Sequence, residues 1–420
     1  MGKRNPWAWI PSLYFAEGLP YVVVMTLSVI MYKRLGVSNT DIALFTSWLY
    51  FPWVIKPIWS PFVDLIKTKR WWIYTMQLLI GGGMAGVAFV LPGDFFFRFT
   101  LAFFWLMAFS SATHDIAADG FYMLGLNEDQ QAFFIGIRNT FYRVAMLTGQ
   151  GLLVMLAGFL EESTGKIPFA WTLVFIVLAG TFIGLSLWHK YVLPQPDSDC
   201  LREHITPRTI LSEFCNTFVS FFSKKGIVPA LLFMLTYRLS ESQLVKLASP
   251  FLLDEREVGG LGLSTSAVGF TYGTVGVIAL LLGGILGGMA IAKKGLKSCL
   301  WPMALAISLP NLVYLYLAYA LPESIFIVNV CVGIEQFGYG FGFTAYTMYL
   351  MHFAEGEYKT SHYAISTGFM ALGMMLPGMI SGWIQEQIGY QHFFIWVMIC
   401  CIPLFVVLPF LRFKKEEVSK

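Results

Sequence analysis

Ionisable side chains recur inside stretches of this sequence that otherwise hold almost nothing but apolar residues. Five are acids: Glu17, Asp115, Asp119, Glu241 and Glu335. Five are bases: Lys56, Arg138, Arg143, Arg238 and Lys246. A charge at the centre of a bilayer costs about 2.5–3.5 kcal/mol on insertion scales, so such groups must face protein or water and are functional candidates by default. Spacing pairs several of them. Arg238 and Glu241, three apart, share a helix face, and Asn139 and Arg143, four apart, do likewise. Asp115 and Asp119 also point the same way. Two ionised carboxylates on one wall repel, which favours keeping a proton between them, and proton coupling needs such a site. His114, beside Asp115, is a candidate relay for that proton. Adjacent helix positions point about 100° apart, however, which favours a packing role for its ring. The competing reading is a static lattice of charges between helices, strongest for Lys56 and Asp64.

Rings and hydroxyls accompany these charges: Tyr14, Tyr21, Tyr142, Tyr237, Tyr339, Tyr346, Trp48 and Trp53. Aromatic stacking with carboxylate hydrogen bonds suits a sugar, and arginines suit an anion. The mixture points to a polar solute with a sugar part and an anionic part. In a chain that is 17% aromatic, most such rings are packing or interface belts.

Composition says what must position these groups. Of 420 residues, 57% are hydrophobic and 13% charged, against about 25% charged in a soluble domain; mean hydropathy is +0.66. Apolar residues fall into twelve blocks, near 8–32, 40–63, 71–91, 97–122, 133–159, 168–190, 227–253, 266–291, 299–320, 324–350, 362–385 and 392–411. Each is about the 20 residues a helix needs to cross hydrocarbon, and too long for barrel strands of about ten. The first block lacks a small-residue cleavage site and reads as a retained span. With the N-terminus placed inside, inner segments hold 18 Lys and Arg and outer loops 5. That bias puts both termini in the cytoplasm. The expected location is a bacterial inner membrane.

A net charge of +3 reflects this loop bias and gives no reason to expect nucleic-acid binding. None of the six cysteines shows metal-ligand spacing. The glycine clusters at Gly81–Gly83, Gly283–Gly284 and Gly287–Gly288 lack a Gly-Lys-Ser/Thr ending, which excludes an ATP-driven pump. No cofactor is expected, and the proton motive force is the energy source.

The sequence divides into an N-terminal six-helix bundle at 1–190, a linker at 191–226 and a C-terminal bundle at 227–420. In the linker, Ile210, Leu211, Phe214, Phe218, Phe221 and Phe222 recur at helical spacing, the pattern of an amphipathic helix on the inner leaflet. An offset of 224 lays Gly149 on Gly373, Gly158 on Gly382, Gly165 on Gly389, Glu17 on Glu241 and Lys69 on Lys293. Matches in equivalent blocks suggest a six-plus-six duplication, hence an all-α major facilitator fold of twelve spans in two halves. In that fold spans one, four, seven and ten line the cavity, and the five acids fall on those spans. Asp64 with Lys67, Lys69 and Arg70, and the stretch from Gly283 to Lys297 that includes Lys293, resemble the family's acidic–Gly–basic gate loops. Lys56, Asp64 and Lys293 are therefore gate and helix-end candidates.

Three stretches are similar to the AmpG-like branch of the major facilitators: E-G-L-P at 17–20, K-P-I-W-S-P-F-V-D at 56–64 and S-A-T-H-D-I-A-A-D at 111–119. The last resembles that branch's S-A-T-Q-D-I-x-x-D, with His114 in place of Gln. The resemblance implies inward, proton-coupled transport of anhydro-muropeptides or their disaccharide. It gives the coupling role to Asp115 first and Asp119 second. Two alternatives stand beside a saccharide or muropeptide symporter. One is an exporter or antiporter of another solute on the same fold. The other is a membrane-embedded transferase, disfavoured by short outer loops. A monomer in the lipid bilayer, binding a small sugar-containing solute, is expected.

Overall fold

The computed structural model describes residues 5–196, 199, 207–356, 358–411 and 413. Every regular element among them is helical. Nine stretches are long and apolar enough to cross a membrane, and a bent pair, Cys215–Phe222 with Ile227–Leu253, makes a tenth.

The tenth includes the seventh span of the sequence reading, broken between Thr236 and Leu239. The Lys359–Phe410 stretch has 52 residues, about 78 Å at 1.5 Å per residue, and hydrocarbon is only about 30 Å thick. It divides at Gly389, whose φ of 73° no helix tolerates, into spans eleven and twelve. Asn39–Trp48 and Phe51–Ile66 together form span two. These divisions are consistent with twelve spans.

The other spans are Pro6–Arg34 (one), Lys69–Val90 (three), Phe96–Gly125 (four), Asp129–Thr164 (five), Ile167–Val192 (six), Thr265–Lys294 (eight), Leu296–Ala320 (nine) and Ile325–Ala354 (ten). Large apolar side chains such as Phe89, Phe159 and Ile176 lie exposed around the outside, the surface expected against lipid rather than water.

Polar caps mark helix starts where the sequence offers them. Thr68 caps span three and Ser264 caps span eight. Asn127 and Gln130 form a capping box before span five. The basic loop after span two is engaged: Asp199 accepts from the backbone N–H groups of Lys69 and Arg70 at 2.8 and 3.0 Å. Arg70 also reaches the carbonyls of Lys190 and Leu193 at the end of span six. The linker helix, Pro207–Phe222, buries Phe221 in the second half's core. The side chains of Asp64, Ile210, Leu211 and Phe214 lie outside what the structure describes.

The two halves meet most tightly at the face opposite the termini, here called the distal face. Span five crosses span eight with Gly158 so close that a β-carbon there would lie 2.3 Å from the Ser266 nitrogen. Span eleven crosses span two with Gly382 so close that a β-carbon would lie 2.0 Å from the Asn39 carbonyl oxygen. These glycines are 224 residues apart, so one offset generates both crossings. Gly165 and Gly389, also 224 apart, take positive φ of 66° and 73° at the distal ends of the same two spans. Only a residue without a β-carbon visits that region freely.

Polar locks surround the crossings. Glu161 accepts from Thr265 at 2.7 Å, Trp171 at 2.8 Å and Arg34 at 3.0 Å. Asn39 donates to Gln385 at 2.7 Å and to Tyr390 at 2.9 Å. Glu386 accepts from the Thr40 backbone at 3.0 Å. Lys33 pairs with Asp254 at 2.6 Å, and Tyr390 donates to the same carboxylate at 2.6 Å. The distal face is thus closed by apolar contact and by hydrogen bonds together.

Candidate functional site: charged clusters around a central cavity

Away from the distal face spans five and eight part. A cavity of about 690 Å³ opens between spans five, eight and ten. Asn139 and Arg143 line it from span five, Tyr339 and Thr344 from span ten, and Tyr363 from span eleven. A smaller cavity of about 100 Å³ lies deeper, lined by Tyr21, Tyr50, Gln150, Arg238, Glu241 and Gln336 among others. Met146, Val277, Leu280 and Tyr339 line both. The two volumes therefore adjoin at the centre of the molecule.

Span four supplies one charged cluster to the first half. Asp115 forms an ion pair with Lys56 of span two. Glu17 of span one, 8% exposed, is a second acid beside Asp115, and its Oε2 has no hydrogen-bond partner among the described residues. Like charges on two such neighbouring carboxyl groups repel. One turn along, Asp119 accepts from Arg138 at 2.7 Å. The Arg138 guanidinium lies over the rings of Tyr14 at 4.4 Å and Tyr122 at 5.2 Å. Asp119 is the most exposed acid of this group. The carboxyls thus run from the buried centre toward the face that carries the termini. Tyr142 packs over Gly18, where a β-carbon would lie 3.0 Å from its carbonyl oxygen.

Asp115 and Asp119 share a face, but each has its own cation, and the second carboxyl beside Asp115 is Glu17. His114 turns into a separate chain of contacts. Its Nε2 lies 2.9 Å from Gln77, Gln77 lies 2.8 Å from His189, and His189 lies 2.9 Å from Ser12. The ring thus bonds away from the carboxyl pair.

The second half carries a compact pair. Arg238 donates to both oxygens of Glu241, at 2.6 and 3.0 Å, and to the Tyr339 hydroxyl at 3.0 Å. A bidentate arginine–carboxylate pair is geometrically specific as well as strong. Glu335 is buried with Gln336 donating to it at 2.9 Å. Tyr237 stacks on Tyr346 with centroids 4.7 Å apart and donates to the Gly342 carbonyl, so it supports span ten from the core. Lys293 is exposed in the last turn of span eight.

Tyr50, Gln150 and Gln336 complete the centre with Lys246; Lys246 was already among the intramembrane charges, but the other three were not singled out by spacing. Their signal was present, since each interrupts an apolar span with a polar group, but nothing in one sequence says which face they take.

The sequence pattern of the Major Facilitator Superfamily matches residues 12–376. The chain belongs to that superfamily. This facilitator is 25% identical over 415 residues to the putative transporter AmpG 4 of Rickettsia conorii, covering 96% of this chain and 95% of that one. It is 24% identical to the anhydromuropeptide permease of Escherichia coli K12, covering 94% of this chain and 77% of the permease. Among solved structures, a POT family transporter in complex with 5-aminolevulinic acid superposes with a TM-score of 0.74 at 12% identity, covering 97% and 96% of the two chains. A D-xylose–proton symporter gives 0.72 at 11%, covering 98% of each. The facilitator is a multi-pass membrane transporter of the AmpG-like type.

Proposed function

We propose that this facilitator is a proton-coupled symporter that imports a saccharide-type solute, such as an anhydro-muropeptide or amino sugar, by alternating access across a bacterial inner membrane, with both termini in the cytoplasm. The observation that carries the reading is the placement of Lys56. It bonds Asp115, beside the buried acid Glu17, and it lies two residues from Val54, whose carbonyl oxygen would be 2.9 Å from a β-carbon on Gly368 of span eleven. Span two is therefore held to span four by the ion pair and to the other half by backbone contact.

A proton entering the Glu17–Asp115 pair reduces the negative charge that holds Lys56. Span two is then freer to move relative to span four, and its movement alters the seam between the halves. The solute meanwhile occupies the adjoining cavities, where Tyr21, Tyr50 and Tyr339 offer rings and Arg143 and Arg238 offer cationic donors. Stacking rings with a few placed polar groups is the usual composition of a specific small-molecule site. The AmpG relatives, one of them named an anhydromuropeptide permease, support the solute class.

Uptake into proteoliposomes tests the reading. Labelled anhydro-muropeptide or N-acetylglucosamine accumulates above its external concentration when an inward proton gradient is imposed. Accumulation of neither probe, or accumulation indifferent to the gradient, overturns it.

A further inference from the structure

Lys246 stands apart as a fully buried central cation without an acid; Arg143, which also has none among the described residues, lines the open cavity. Lys56, Arg138 and Arg238 each hold a carboxylate, whereas Lys246 has no acid within ion-pair distance among the described residues. The residue is 1% exposed. It donates to the Thr46 hydroxyl at 3.0 Å, and it lies 5.2 Å from the centre of the Tyr50 ring. The Thr46 hydroxyl proton is already committed to the Ile42 carbonyl at 2.6 Å. An ammonium has three protons to donate, so one neutral oxygen and a ring leave it under-coordinated. Burying an unpaired charge is among the most costly arrangements in a folded protein.

The partners' location explains how such a group persists. Lys246 belongs to span seven, and both Thr46 and Tyr50 belong to span two of the opposite half. The contact lies in the seam between halves, about 12 Å, or eight residues at 1.5 Å each, from the Lys33–Asp254 pair at the distal face. The Ser47 hydroxyl, without a partner, lies against Gly378 beside the Lys246 stem. Tyr50 in turn lines the small central cavity. Parting the halves at the distal face removes Thr46 and Tyr50 together. The ammonium then loses its whole coordination at the moment that solute can arrive.

We infer that Lys246 is an anion-binding residue of the distal-open state, taking a carboxylate of the incoming solute at the seam between spans two and seven. Closure returns Thr46 to the ammonium and displaces the carboxylate toward the central cavity. The ammonium supplies charge and donors when the site faces the supply of solute and withdraws them when the site faces the interior. This assignment rests on the proposed transport function for its physiological meaning, but its chemistry can be read separately.

The test uses full-length purified protein and two probes, an anhydro-muropeptide with free peptide carboxylates and the same compound with those carboxylates amidated. A charge-assisted hydrogen bond lost from such a site changes affinity by roughly tenfold or more. In wild type the carboxylate probe raises the melting temperature in detergent at concentrations at least tenfold lower than the amide does. Lys246→Met erases that preference and leaves amide binding unchanged; Lys246→Arg keeps it. Both variants fold, because removing or conserving an unpaired buried charge does not strand a partner. Wild-type protein that treats the probes alike, or a Lys246→Met preference equal to wild type, overturns the inference. Transport of both probes with no carboxylate preference also overturns it, while leaving the importer reading intact. A Lys246-dependent preference in binding, with no gradient-driven uptake of either probe, supports the inference and overturns the importer reading.

Discussion

Gly158 and Gly382 stand 224 residues apart and do the same thing: each lets its span press bare backbone against the first turn of a helix in the other half. The distal closure is built twice from one design. A side chain at either position must displace backbone, the Ser266 nitrogen in one case and the Asn39 carbonyl in the other. Overpacking of this kind costs about 1–3 kcal/mol, here charged against the closed state alone. Gly382→Val is expected to slow uptake tenfold or more and to raise labelling, by an impermeant thiol reagent, of a cysteine introduced into the distal seam. Gly288→Ala, at a position with open space around it, keeps uptake within about twofold. Equal rates for both variants would show that the crossing does not govern closure.

The Lys56–Asp115 pair sets a second expectation. Asp115→Asn removes one partner and leaves an ammonium behind, so gradient-driven accumulation is lost. Equilibrium exchange of solute across the membrane continues, since the central cavity is untouched. Lys56→Gln does similar damage through the opposite charge. In the double variant the effects fall well short of additive, with an interaction of about 0.5–3 kcal/mol as expected for residues in contact. Full accumulation by Asp115→Asn would remove that residue from the coupling site.

Glu17 separates coupling from packing. Glu17→Gln keeps the size and hydrogen-bonding capacity of the side chain and removes only the exchangeable proton. Uptake down a solute gradient persists, while accumulation against one falls at least tenfold. Measured proton influx per solute drops in parallel. A Gln variant that still concentrates solute would restrict the proton to Asp115 alone.

Arg238 and Glu241 should behave as a unit in stability. Breaking a buried pair from one side costs about 3–5 kcal/mol because a charge is stranded. Arg238→Gln and Glu241→Gln each lower the melting temperature in detergent by several degrees. The double variant recovers most of the loss, and all three impair uptake through the altered cavity wall. A double variant less stable than either single one would show that the pair contributes more than mutual compensation.

The class and architecture were legible because hydrocarbon imposes its thickness on helix length and its cost on charge. The 224-residue offset was legible because Gly158 and Gly382 face the same steric demand. Gly389, whose positive φ divides a continuous helical stretch, falls in the gap between the blocks at 362–385 and 392–411. The break in span seven between Thr236 and Leu239 was harder, because the block at 227–253 runs straight through it. Arg238 and Glu241 were paired correctly from spacing, since partners three apart need no tertiary information. Glu17 and Asp115 were both singled out but not as neighbours, because they are 98 positions apart and only packing of spans one and four joins them. His114 and Asp115 are the opposite case. Adjacency in sequence turns two helical side chains apart, and the ring found Gln77 instead.

Val54 and Lys56 occupy one turn of span two, the first touching the opposite half and the second gripping Asp115. Under the proposed mechanism, the charge event and the mechanical event are about 3 Å apart along a single helix axis. So short a lever leaves little slack between them. Substitutions that soften this turn without breaking either contact are then expected to yield a slipping carrier, one that conducts protons without cargo, in preference to an inert one.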